Sequence, residues 1–91
     1  MHLYPKNPHI LNNLGNIYNE QGLYHEAIKY YELSLMYENS PNTHFNLAVA
    51  LEKTGNIEKA IHHYGEVLKI NPTDREAKIR IEKLISDMGS N

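Results

Sequence analysis

Apolar residues return along the chain at three- and four-residue steps, in short stripes separated by glycine or proline. Leu11, Leu14, Gly15 and Tyr18 form one stripe, and Tyr24, Ala27, Ile28, Tyr31 and Leu35 form a second. Leu47, Ala48 and Leu51 form a third, and Ile57, Ala60, Ile61, Tyr64, Val67 and Leu68 a fourth. Each stripe marks one face of an amphipathic helix. Asn7 is a good N-cap and Pro8 suits a first helical turn. Gly22 follows the first stripe as a left-handed terminator should. Ser40-Pro41 opens the third helix and Gly55 stops it, Asn56 is expected to cap the fourth, and Asn71-Pro72 ends that one. Thr73 with Glu76 reads as a capping box for a last helix carrying Ala77 and Ile81 and closed by Gly89. The spacing predicts helices over 8–21, 24–38, 41–54, 57–70 and 74–87, with no β-sheet.

The stripes repeat. Offset by 33 residues, positions 8–40 fall on 41–73 with eight identical pairs, among them Asn13/Asn46, Gly22/Gly55, Ala27/Ala60 and Tyr31/Tyr64. About two would arise by chance, so the period is real. Small residues, Gly15 and Ala48 on the first helix of each pair and Ala27 and Ala60 on the second, are expected where helices cross. Tyr31 and Tyr64 fill the space between pairs.

Composition narrows the function. At 91 residues the chain holds one small domain, and without cysteine no disulfide or thiolate metal site can staple it. A stack in which each unit buries its apolar face on its neighbour solves the same problem. A net charge of −2 argues against nucleic acid, and no run of about 20 apolar residues spans a membrane. Residues 1–5 lack the basic and apolar regions of a signal peptide. The absence of cysteine fits a reducing cytoplasmic setting.

The pattern resembles the tetratricopeptide repeat family, whose signature is Trp-x2-Leu-Gly-x2-Tyr, then Ala-x3-Phe, then Pro. Here it reads Leu11-x2-Leu14-Gly15-x2-Tyr18 and Ala27-x3-Tyr31, then His44-x2-Leu47-Ala48-x2-Leu51, Ala60-x3-Tyr64 and Pro72. No tryptophan is present, and the first copy is one residue short. The resemblance implies an all-α, right-handed superhelical solenoid of antiparallel helix pairs. Repeats are expected at 8–40 and 41–73, with 74–91 as a C-terminal capping helix in which Glu82 replaces the small residue. Residues 1–7 read as the tail of a preceding second helix or as a frayed terminus. The chain would then be part of a longer array or a very short member. Its first helix would expose a face that a preceding helix normally covers, so self-association through the N-terminal end is expected.

In this family the first helices line a concave groove that holds a peptide or helix of a partner protein. The positions implied here are Asn12, Asn13, Asn16 and Asn19, then Phe45, Asn46 and Val49 with Glu52, then Arg80 and Lys83 with Glu76 and Ile79. Asparagine is a mediocre helix former, so the repeat of Asn13 at Asn46 is unlike a helix-stabilising choice. Its amide offers donors and acceptors that match a peptide backbone. The face is similar to the asparagine ladder of the repeats attached to O-linked N-acetylglucosamine transferase. A second sub-family, the clamp for C-terminal carboxylates of heat-shock chaperones, is matched at Asn16, Asn46 and Arg80. Asn12 and Glu76 stand where that clamp has lysines, so a dicarboxylate loses much of its attraction.

No enzyme chemistry is legible. The histidines, His2, His9, His25, His44, His62 and His63, give no pair at ligand spacing on one helical face, so no metal or cofactor is expected. His44 is read as packing in place of an aromatic. No nucleophile elbow or phosphate loop is present. Tyr18, Tyr24, Tyr31 and Tyr64 lie on core stripes, while Tyr30 and Tyr37 are expected nearer the surface. Arg75, Lys78, Arg80 and Lys83 are interleaved with Glu76 and Glu82. The reading is a scaffold for protein or peptide binding. Its alternatives are a structural repeat segment and a regulatory repeat domain attached to an enzyme.

Overall fold

The computed structural model describes residues 6–89. Five helices follow in order: α1 (Pro8–Glu20), α2 (Tyr24–Tyr37), α3 (Pro41–Lys53), α4 (Ile57–Ile70) and α5 (Arg75–Met88). Each lies within one residue of its expected end points. No strand occurs among the described residues. The reading of residues 1–7 as the tail of a preceding helix falls, for 1–5, outside the described residues.

The caps explain the boundaries, and two differ from expectation. Asn7 caps α1 as expected, its side chain accepting from the backbone N–H of His9 (2.8 Å) and Ile10 (3.4 Å). Gly22 and Gly55 have φ of +80° and +83°. Gly22 N donates to Asn19 O and Leu23 N to Tyr18 O, and Gly55 and Asn56 repeat both bonds to Glu52 and Leu51. These are Schellman closures, which need the left-handed residue that glycine adopts without strain. Asn56 is therefore not a side-chain cap: its N–H completes the closure of α3, and its side chain makes no capping bond. The Thr73–Glu76 capping box is absent too. Asp74 caps α5, accepting from Ala77 N at 3.0 Å, while Thr73 donates to Asn71 Oδ1. A carboxylate one residue later is the better acceptor at a helix N-terminus. Gly89 ends α5 with φ −85°, so no left-handed residue is used there.

Consecutive helices pack into two antiparallel pairs, α1 with α2 and α3 with α4, and α2 and α4 then cover α3 and α5. Ser34 on α2 donates to the Pro8 carbonyl at 2.8 Å, which fixes the end of α2 beside the start of α1. The result is an elongated body of 49 × 26 × 17 Å. Its core is a line of small and large residues: Ala27, Tyr31, Leu47, Ala48, Ala60, Tyr64 and Ala77 are fully buried. A Cβ on Gly15 would lie 2.5 Å from two atoms of the Tyr31 ring, so glycine is what admits that ring. Tyr18 and Tyr30 depart from the core-against-surface division. Both are half-buried and stack with centroids 5.3 Å apart. Glu82 is exposed.

Candidate functional site

The first helices α1, α3 and α5 lie in sequence along one side, and a hydrogen bond and an ion pair tie each to the next. Asn46 Nδ2 donates to Asn12 Oδ1 at 3.2 Å, joining α3 to α1. Arg80 reaches back to Glu52 at 3.5 Å, joining α5 to α3. One register position thus does the same task twice: its side chain reaches back to the preceding first helix. Asn13 holds that position on α1, where no described helix precedes, and it is exposed.

The remaining expected residues fall around these links. Asn12, Asn16, Asn19, Phe45, Asn46 and Val49 are half-buried, and Lys83 is exposed. Asn16 accepts the Tyr31 hydroxyl at 2.5 Å, so part of its amide serves the core. Burial pushes the Tyr31 hydroxyl up to about 12, with the Glu20 charge adding to it. In the second copy Tyr64 turns to a different partner and donates to the Glu52 carboxylate. Burial, then that hydrogen bond, raises Tyr64 above the ordinary tyrosine range. Asn19 stands at the register of Glu52, and its buried Oδ1 has no hydrogen-bond partner.

Arg80 is the most constrained group on this face. Its Nε donates to Glu76 at 3.0 Å, and its guanidinium lies 5.3 Å from the centroid of Phe45. Phe45 meets Tyr64 edge-on at 5.2 Å. A planar, delocalised cation suits this seat between an aromatic ring and two carboxylates. Beside it a cleft of about 250 Å³ is lined by Glu52, Glu76, Ile79, Arg80, Lys83 and Leu84. Its cations are balanced by its carboxylates, so a dicarboxylate finds no concentrated positive charge there.

A family model for the tetratricopeptide repeat matches residues 8–37 and 41–74. The chain belongs to the tetratricopeptide repeat family. Repeats of this family mediate protein–protein interaction in general and are typically non-catalytic. No curated protein matches the chain. No described helix is long and apolar enough to cross a membrane.

One cluster escaped the sequence reading. His44, at the repeat's tryptophan position, is only 6% exposed. Its Nδ1 lies 2.9 Å from Nδ1 of His63 on α4, and its Nε2 lies 2.6 Å from Asn39 Oδ1. The consistent assignment has His44 Nε2–H donating to Asn39 and His63 Nδ1–H donating to His44 Nδ1. Burial lowers both rings and outweighs the nearby Glu66 carboxylate, which raises them; His62 adds to the lowering of both and His44 to that of His63, which falls to about 4. A search for ligand spacing on a single helix cannot find this pair, because it joins the two helices of a hairpin. Among the described residues no three His, Cys, Asp or Glu side chains converge as a metal site would need.

Proposed function

We propose that the face formed by α1, α3 and α5 binds an extended segment of a partner protein. The observation that carries the reading is the cleft beside Arg80. It sets Ile79, 57% exposed, among paired charges on a family scaffold for protein binding. Pockets of this kind seat an apolar side chain while polar groups at the rim orient the chain. The Asn12–Asn46 pair supports the same reading. Its bond uses one N–H and one carbonyl, and each amide has further capacity for a peptide backbone. This is the point of likeness to the asparagine ladder. The balanced charges favour a neutral or mixed-charge peptide over an acidic tail.

The test compares peptide-array binding by wild type, Asn46→Ala and Arg80→Ala, with melting curves alongside. Asn46→Ala is expected to weaken binding by up to about tenfold, the worth of one hydrogen bond, with little change in melting. Arg80→Ala uncovers Glu52 and Glu76, so acidic peptides should weaken more than neutral ones and basic peptides should gain. That gap should shrink with added salt. Ala60→Leu overpacks a fully buried site and serves as the folding control. Binding that is lost only when the fold is lost would favour a purely structural role.

A further inference from the structure

His44 and His63 stand at two positions where the first repeat shows that histidine is not needed. Offset by 33 residues they fall on Leu11 and Tyr30, and Leu11 is fully buried. Apolar and aromatic side chains thus fit these places in the same fold. The second repeat instead sets two imidazoles against each other, Nδ1 to Nδ1 at 2.9 Å, with His44 Nε2 held by Asn39 Oδ1 at 2.6 Å. His44 lies in the first turn of α3 (Pro41–Lys53), about 16 Å along the helix from the Gly55 turn, so the pair closes the open end of the α3–α4 hairpin. One residue further along each helix, Phe45 meets Tyr64 edge-on at 5.2 Å. Arg80 rests on that rung, its guanidinium 5.3 Å from the Phe45 centroid and its Nη1 3.5 Å from the Tyr64 hydroxyl.

We propose that the His44–His63 pair is a proton-operated latch on the α3–α4 hairpin: in mild acid it parts, and the neighbouring Phe45–Tyr64 rung and the Arg80 seat loosen with it. The facing Nδ1 atoms share one proton. A first added proton goes to His63 Nε2 and makes a cation of a half-buried ring, and a second, on His44 Nδ1, sets N–H against N–H. Among the described residues, the charged groups that act on the pair lie on α4: Glu66 favours the cation, while His62 and Lys59 oppose it. The turn after α2 contributes Asn39, which is neutral. Burial dominates and holds both rings low, so the latch is whole above about pH 6.5 and weakens as the pH falls toward about 4. Parting the pair gives both rings to water, so protons favour the open hairpin. An open hairpin end yields at less cost than the whole fold. The coupling is reciprocal: whatever holds the Arg80 seat closed resists protonation of the pair. A peptide seated beside Arg80 does so, and it should be released in mild acid. That binding consequence rests on the peptide reading, whereas the latch stands without it.

The experiment follows side-chain NMR signals of the whole chain from pH 7.5 to pH 4.5, with far-UV dichroism alongside, for wild type and for His44→Leu with His63→Tyr, the residues of the first repeat. In wild type the Phe45 and Tyr64 ring signals and the Arg80 Nε–H should move together with the His44 and His63 titrations while helicity is kept. In the double variant they should stay nearly fixed. Should that variant melt early, His63→Tyr alone repeats the comparison. The latch is overturned if the two histidines titrate with the rung and Arg80 unmoved, if the double variant shows the same movement, or if the change coincides with loss of helicity. A peptide free of histidine and acidic residues that binds on the array at pH 7 should bind wild type several-fold more weakly at pH 5, and the double variant about equally at both. Were no peptide bound at either pH, the peptide reading would fall and the ring signals would still decide the latch.

Discussion

At the scale of single residues, the histidine pair is the feature with the clearest solution consequence. His44 Nδ1 and His63 Nδ1 share one proton across 2.9 Å, and a proton on every nitrogen would set two N–H groups head to head. Both rings are held below their ordinary value, so the unfolded chain binds more protons than the folded one in mild acid. The stabilising effect is whole above about pH 6.5 and drains away as the pH falls toward about 4. At pH 5 the loss is on the order of 1 kcal/mol after allowance for solvent screening at the half-buried His63 ring. Urea unfolding at pH 7 and pH 5 should show it. The double variant His44→Leu with His63→Phe should show a smaller fall, and an equal fall would place the acid sensitivity elsewhere.

Among the helices, ends are set by short-range chemistry that composition alone ranks poorly. Thr73 and Glu76 have the right identities for a capping box, yet Asp74 holds the cap because its backbone lies extended (φ −70°, ψ 106°) one residue before the helix. Asp74→Ala should cost about 0.5–2 kcal/mol of stability, the usual worth of an N-cap. Thr73→Ala, which removes only an exposed bond to Asn71, should cost a few tenths. Chemical denaturation of the two variants separates them. A larger loss at Thr73 would restore the box.

Over the whole molecule, stability is distributed as in a stack, where each element contacts its neighbours and the centre has two of them. Six residues of α3 are buried, Thr43, His44, Leu47, Ala48, Ala50 and Leu51, against two in α1 and two in α5. Amide exchange should therefore be slowest in α3 and α4 and faster toward α1 and α5 at low protein concentration. Uniform protection along the chain would show that the pairs unfold as one unit.

Helix count, helix ends to within a residue, and the family were all legible in the sequence, because helical stripes, glycine closures and a 33-residue period are local or repeated signals. The positions of the first-helix side chains were legible as a register, since equal positions on successive first helices must share a side. What each of those side chains does was not. Whether Asn16 accepts from Tyr31, whether Arg80 lies free or between Glu52 and Glu76, and that His44 meets His63 depend on which neighbour stands across the gap. Sequence spacing describes one helix at a time. Contacts between helices follow from their packing, and only the tertiary structure decides which of two chemically similar partners a polar group finds.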